Sequence, residues 1–255
     1  MRIATWNIKG VQSRLGRLLD WLRAQEPDLV ALQKINVLEE AFPFDAFTRA
    51  GYYAVVHGFP AEPRKNYGVA ILSRREPRVV RQGLPRQDGL GPRLLTVDVD
   101  GLEFSSVYAP SRLEHPAGTK VEWFERLTEH LTATRPESGR RVMCGDFNVV
   151  PVNRYGPKGR LRTPNYDKDV QARFGTMLKE AGLADLYAAP PSGWSDRFMY
   201  EGREGWVKFS RLEYVLGTPN MVDLNPVVRF DIDHAIIRNP NFYWVRAPII
   251  ADFDV

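Results

Sequence analysis

The sequence predicts a layered α/β sandwich, on three observations. Strand-like apolar runs outnumber convincing helices along its 255 residues. The first thirty-odd residues read as strand, helix and buried strand in succession. Pro- and Gly-rich stretches such as Gly58 to Lys65, Gly89 to Pro92 and Pro190 to Gly193 punctuate the chain without forming a linker. Many short strands with few helices bury their apolar faces best as stacked layers. The length suits one large domain over residues 1–255.

The elements follow in order. Arg2 to Asn7 reads as the opening strand and Leu15 to Gln25 as a helix with Leu18, Leu19 and Leu22 on one face. Leu29 to Gln33 is the next buried strand. Further strands are expected at Tyr53 to His57, Gly68 to Ser73, Arg93 to Val99, Glu103 to Tyr108, Arg141 to Cys144, Arg211 to Val215, Pro226 to Asp231 and Pro248 to Phe253. Two more helices are expected. Lys120 to Ala133 carries Trp123, Leu127 and Leu131 at helical spacing, and Val170 to Ala181 carries Phe174, Met177 and Leu178.

Composition narrows the function classes. Hydrophobic residues at 44% and charged residues at 26% leave no room for a disordered majority. A net charge of +4 permits nucleic-acid binding without demanding it. The lone Cys144 has no internal disulfide partner, and Met1 to Thr5 runs into Trp6-Asn7 without a long apolar leader, so a cytoplasmic location is expected. No apolar run approaches the ~20 residues of a membrane-spanning helix, so no membrane role is expected.

The sharpest chemical signal is Val142-Met143-Cys144-Gly145-Asp146-Phe147-Asn148. An apolar strand ends in Gly and delivers a carboxylate and an amide two residues apart, on one side. An Asp there is suited to orient a water or accept its proton, and an Asn amide to donate to a phosphate oxygen as charge builds. A strand-ending Asx turn accounts for this heptapeptide equally well. Thr5-Trp6-Asn7, Leu32-Gln33 and Val107-Tyr108-Ala109-Pro110 are weaker signals, each reading first as buried structural groups at strand ends. Cys144 reads as a buried strand residue rather than a reactive thiol.

Together and in order, these segments resemble the exonuclease III and apurinic/apyrimidinic (AP) endonuclease family of the endonuclease/exonuclease/phosphatase superfamily. The resemblance runs from Ala4-Thr5-Trp6-Asn7 through Pro27 to Gln33, Gly68-Val69-Ala70, Tyr108-Ala109-Pro110, Gly145-Asp146-Phe147-Asn148 and Arg211-Leu212-Glu213-Tyr214 to Ala247-Pro248-Ile249. It implies a four-layer α/β sandwich of two packed mixed β-sheets, the DNase I-like arrangement. It also implies cleavage of DNA beside abasic sites and trimming of 3′ ends with Mg²⁺ or Mn²⁺.

The departures are as informative as the matches. The family holds its metal chiefly through a Glu directly after Leu-Gln, and here that position is Lys34. An ammonium has no lone pair for a hard divalent cation and repels it. Glu39 or Glu40 would have to compensate from several residues on. The family's Arg-Ile-Asp-Tyr stands here as Arg211-Leu212-Glu213-Tyr214, with the carboxylate one methylene further out. Its terminal Ser-Asp-His-Ala-Pro-Val aligns with Trp244-Val245-Arg246-Ala247-Pro248-Ile249, while a competing register uses Asp233-His234. The family's Phe-Ser-Trp cluster reads here as Arg197-Phe198-Met199-Tyr200.

The candidate site is therefore Asn7, Lys34, Tyr108, Asp146, Asn148, Glu213 and Arg246. No metal is expected, with Asp146 and Glu213 as the ligands if Mg²⁺ or Mn²⁺ does bind. Lys34 and Arg246 are expected to pair with Asp146 and Glu213, because buried carboxylates without a metal need compensation. Three readings follow. The first is a monomeric DNA-binding protein of damaged or abasic DNA with cleavage lost or altered, supported by Arg64, Lys65, Lys158, Arg160, Arg162 and Trp206 in loops. The second is a metal-independent enzyme using Lys34, as an abasic-site lyase or on a small-molecule substrate. The third is an active Mg²⁺-dependent AP endonuclease/3′-exonuclease with a rearranged site.

Overall fold

A computed structural model describes residues 1–58, 67–86, 89–111, 114–116, 118–149, 167–187, 198–200, 203–205, 212–231 and 248–254. The strands in chain order are β1 (Arg2–Asn7), β2 (Leu29–Gln33), β3 (Tyr53–His57), β4 (Val69–Ser73), β5 (Arg78–Gln82), β6 (Leu94–Val99) and β7 (Leu102–Tyr108). They continue as β8 (Arg141–Asp146), β9 (Ala184–Asp185), β10 (Phe198–Tyr200), β11 (Arg203–Gly205), β12 (Glu213–Gly217), β13 (Val227–Phe230) and β14 (Ile249–Asp252). The helices are α1 (Leu15–Gln25), α2 (Phe44–Arg49), α3 (Thr119–Ala133), α4 (Lys168–Ala181) and α5 (Pro219–Val222).

Two six-stranded sheets form, in the orders β13-β14-β1-β2-β4-β3 and β5-β6-β7-β8-β12-β9, with β10-β11 a separate two-stranded pair. Each large sheet is mixed, because one parallel pair sits among antiparallel neighbours: β1 with β2, and β7 with β8. A parallel pair needs a crossover rather than a tight turn, and α1 and α3 supply those crossovers.

Three apolar clusters define four layers. Ile3, Ala31 and Ile71 of the first sheet pack between the sheets on Val97, Phe104, Val142 and Val215 of the second. On the outer face of the first sheet, Trp6, Leu32 and Leu72 meet Leu18, Trp21 and Leu22 of α1 and Phe47 of α2. On the outer face of the second, Met143 and Leu216 meet Trp123, Phe124 and Leu127 of α3 and Phe174 and Met177 of α4. The expected two-sheet α/β sandwich is the fold found, and the central strands are buried on both faces, which is why they read as continuous apolar runs.

The helix faces differ from expectation in one particular. Trp21 stands with Leu18 and Leu22 among the buried residues of α1, and Leu19 lies only partly buried. The indole caps the apolar face and donates from Nε1 to Asp231 at 2.7 Å. α4 begins at Lys168 because Asp167 caps it, accepting from the backbone N–H of Asp169 at 3.0 Å and Val170 at 3.3 Å. No helix among the described residues is long and apolar enough to cross a membrane.

Candidate active site

The two parallel strand pairs bring the motifs to one edge. β1 and β2 are in register with Asn7 opposite Gln33, and β7 and β8 with Tyr108 opposite Asp146. β12 runs antiparallel to β8 and places Glu213, its first residue, opposite Asp146. Residues opposite one another project to the same face of a sheet, so Tyr108, Asp146 and Glu213 form one row. Asn7 reaches that row from the other sheet.

Asn7 Nδ2 donates to Asp146 Oδ2 at 2.8 Å, and the backbone N–H of Asn148 donates to Asp146 Oδ1 at 3.0 Å. Asp146 is fully buried, and Asn7 is 1% exposed. Orienting the Asn7 amide toward a carboxylate leaves its own Oδ1 buried with no hydrogen-bond partner among the described residues. An unsatisfied buried acceptor costs roughly 1–3 kcal/mol and marks a place for a donor from a ligand.

Asn148 differs from what its residue type suggests. Its Nδ2 donates to Ala109 O at 2.8 Å, so one amide hydrogen is used within the protein. Its backbone bends at φ 52°, and its carbonyl accepts from the buried Lys120 Nζ at 2.8 Å. The strand end is thus both an Asx turn and a presented polar array. Gly145 sets the approach: at φ 149° a Cβ there would lie 1.9 Å from Val107 O, so only Gly lets β8 press against β7 beside Asp146.

Lys34 leaves β2 through a left-handed bend, φ 55°, rare for a residue with a Cβ. Its Nζ lies 3.8 Å from Glu114 Oε1 and 4.9 Å from the centroid of the Tyr108 ring. Glu114 was not among the expected partners, and it is the centre of a cluster. Tyr108 Oη donates to both Glu114 oxygens at 3.1 Å. Arg93, 2% exposed, places Nη2 3.7 Å from Glu114 Oε2 and 2.7 Å from His115 Nε2, and stacks its guanidinium over the rings of Tyr67 and Tyr108 at 4.6 and 4.8 Å. Tyr67 Oη lies 3.3 Å from the same His115 nitrogen.

Burial first, then the negative charges of Asp146 and Glu114, raise the Tyr108 phenol well above its ordinary value, against a smaller opposing effect of Arg93. Tyr108 is therefore a proton-bearing donor throughout the physiological range. Burial and then Arg93 hold the His115 imidazole below its ordinary value, with Glu114 opposing. That agrees with Nε2 accepting from Arg93 as a neutral ring.

Behind these groups lies a buried polar relay. Gln33 Nε2 donates to Thr5 Oγ1 at 3.0 Å and Ser106 Oγ at 3.1 Å, and Ser106 Oγ donates to Leu32 O at 3.0 Å. It ties the two sheets together just beneath the site.

Among the described residues, the donors at this edge are few for a divalent cation. Such an ion takes about six oxygen donors, several of them anionic. The edge offers Asp146, already accepting from Asn7 and Asn148, the neutral Asn7 Oδ1, and Glu213. An ammonium stands where another carboxylate would be needed, and among the described residues no three His, Cys, Asp or Glu side chains cluster for a metal. Glu39 and Glu40 are exposed on a short 3-10 turn.

Of the seven expected site residues, Asn7, Lys34, Tyr108, Asp146, Asn148 and Glu213 meet at this edge. Arg246 and both C-terminal registers, with Asp233 and His234, lie outside the described residues. So do Arg64, Lys65, Lys158, Arg160, Arg162, Arg197, Trp206 and Arg211. The flanks are placed: β14 starts at Ile249, opposite Thr5, and Asp231 N donates to Pro248 O at 2.8 Å. Asp231 and Pro248 thus meet at the end of the sheet that carries Asn7.

Comparison with known proteins agrees with this geometry. A family model described as the Endonuclease/Exonuclease/phosphatase family matches residues 4–242. Exodeoxyribonuclease III of Haemophilus influenzae is 29% identical over 161 residues, covering 59% of this chain and 58% of that protein. The DNA repair nuclease APEX1 of Danio rerio is 28% identical over 198 residues, covering 73% and 62%. The matches thus span about six-tenths of the length of these curated relatives. Among solved structures, a 3′ phosphatase from Neisseria bound to product DNA hairpin superposes with TM-score 0.82 at 29% identity, over 100% of both chains. An AP endonuclease from Archaeoglobus fulgidus superposes with TM-score 0.79 at 26% identity, also over 100% of both.

Proposed function

Since the chain belongs to the Endonuclease/Exonuclease/phosphatase family, as a member like exonuclease III and the AP endonucleases, we propose that it is a DNA-binding protein of damaged or abasic DNA whose ordinary Mg²⁺-dependent phosphodiester cleavage is lost or altered. The observation that carries this reading is Lys34, which lies over the Tyr108 ring and beside Glu114 where a metal ligand is needed. Related proteins named for DNA repair and DNA cleavage support DNA as the partner.

The residues present suit recognition. Lys34 and Arg93 supply positive charge for phosphate oxygens, and Tyr108 supplies a neutral hydroxyl donor. Asn7 Oδ1, buried and unmatched, is an acceptor for a sugar hydroxyl. Asp146, held by Asn7 and Asn148, is placed to orient a water molecule, but without a cation to neutralise developing charge that step alone accelerates cleavage little.

A direct test pairs binding with incision. Fluorescence anisotropy on a duplex carrying an abasic site is expected to show binding that weakens steeply with salt. Incision of the same duplex is expected to be no faster in Mg²⁺ than in EDTA. Mg²⁺-dependent incision abolished by Asp146→Ala would overturn the reading in favour of a conventional nuclease. The lyase reading is disfavoured by the placing of Lys34 Nζ beside Glu114 and over the Tyr108 ring, surroundings that suit a cation, since a Schiff-base nucleophile must be the neutral amine. Borohydride trapping on abasic DNA is expected to yield no covalent adduct.

A further inference from the structure

A carboxylate embraced by an ammonium, a guanidinium and a phenol occupies the surroundings of a bound oxyanion. Glu114 is so placed, with Lys34 Nζ at 3.8 Å, Arg93 Nη2 at 3.7 Å and Tyr108 Oη at 3.1 Å from both oxygens. Two of these donors, Arg93 and Tyr108, are held independently of Glu114. Arg93 is fixed by its bonds to Leu90 O at 2.7 Å and Tyr108 O at 3.3 Å, and Tyr108 by its place at the end of β7. The anchoring of Glu114 itself is local: its backbone N–H and that of His115 both return to Ser111 O, at 3.0 and 3.1 Å. Its side chain retains 18% exposure, against 2% for Arg93.

We propose that Lys34, Arg93 and Tyr108 form a phosphate site which the protein keeps occupied with its own Glu114, an autoinhibitory contact that a phosphate monoester must displace. The charges support this. Lys34 and Arg93 both approach the one carboxylate, Lys34 at Oε1 and Arg93 at Oε2, so a tetrahedral dianion there would meet both cations at once. A phosphate monoester brings nearly two negative charges and three strong acceptor oxygens, enough for all three donors at once. An intramolecular carboxylate competes through its high local concentration rather than its intrinsic strength. His115 bears on the balance, since its Nε2 takes the Arg93 Nη2 that also approaches Glu114. The inference rests on the DNA-binding reading for its natural ligand, a phosphate terminus on a DNA strand, but the site itself is tested with free phosphate.

The decisive measurement is isothermal titration of wild type and Glu114→Gln with inorganic phosphate. The variant keeps the side-chain length while removing the competing charge, and a charge-assisted bond of roughly 1.5–3 kcal/mol corresponds to a gain of about ten- to a hundredfold in phosphate affinity. Adding Lys34→Met to the variant is expected to abolish the gain. Phosphate binding by Glu114→Gln no tighter than by wild type would overturn the proposal. If Glu114→Gln does not fold, Glu114→Asp keeps the charge but withdraws it by one methylene. It should bind phosphate more tightly than wild type, and equal affinity would again count against the site. Duplexes with and without a terminal phosphate form the second arm. Tighter free-phosphate binding with no DNA binding would defeat the DNA reading alone. DNA binding with unchanged phosphate affinity would defeat the Glu114 proposal alone.

Discussion

Lys34 is the residue on which the site turns. Its left-handed backbone and its contacts with Tyr108 and Glu114 show a side chain built into the edge, not one projecting freely into solvent. Replacing it tests the metal argument from the opposite side. Lys34→Glu puts an oxygen donor beside Tyr108 and Glu114, on the edge that carries Asp146 and Asn7. Titration with Mn²⁺ is expected to show an affinity at least about tenfold above wild type, a difference of 1.4 kcal/mol. Equal Mn²⁺ binding by the two proteins would mean that position 34 does not decide metal occupancy.

At the scale of elements, β7 and β8 are as close as they are because of Gly145. Gly145→Ala would drive a methyl carbon onto Val107 O and impose φ 149° on a residue with a Cβ. A loss of roughly 3 kcal/mol or more is expected, readable in urea unfolding, since the clash is with backbone and not with a pliable side chain. The same scale shows what the sequence could reveal. β2, β4, β8 and β12 are buried at every position and β1 at all but Arg2, and they read directly as apolar runs. β5 did not: Arg78–Gln82 is an edge strand with four of five residues exposed and a register shift between Val79 and Arg81, so no face of it needed to be apolar. The short α2 was missed because six residues carry too few turns for periodicity to appear. In the site, Asn7, Tyr108 and Asp146 were legible because each ends a strand within a recognisable motif. Arg93, Glu114 and His115 were not, because they belong to no motif: the β6–β7 register, which sets Leu94 opposite Val107, brings Arg93 beside Tyr108, and the segment after β7 carries Glu114 and His115 to it.

Over the whole molecule, the described histidines act together in one respect. Burial is the leading cause that lowers the proton affinity of His57, His115 and His130, with Arg93 adding to it at His115 and Arg81 and Arg141 at His130. A histidine whose folded pKa lies below its unfolded value of 6.5 takes up its proton more readily in the unfolded chain. Stability is therefore fully present above that value and is lost as pH falls through it toward the lower folded values. Urea midpoints at pH 7.5 and 5.5, a window above most carboxylate titration, are expected to be lower at pH 5.5. His115→Gln should reduce the difference, and a midpoint that rises on acidification would contradict the argument. The pairing of β13 with β14 has a broader consequence. Asp231 and Pro248 are joined backbone to backbone, so the chain leaves the sheet and returns to it at neighbouring points. The stretch between them, residues 232–247, can be exchanged as a cassette: excising it for a two-residue Asn-Gly hairpin turn is expected to leave cooperative melting intact. Abasic-DNA affinity lost without a change in melting would assign recognition to that stretch and leave the architecture to the two sheets.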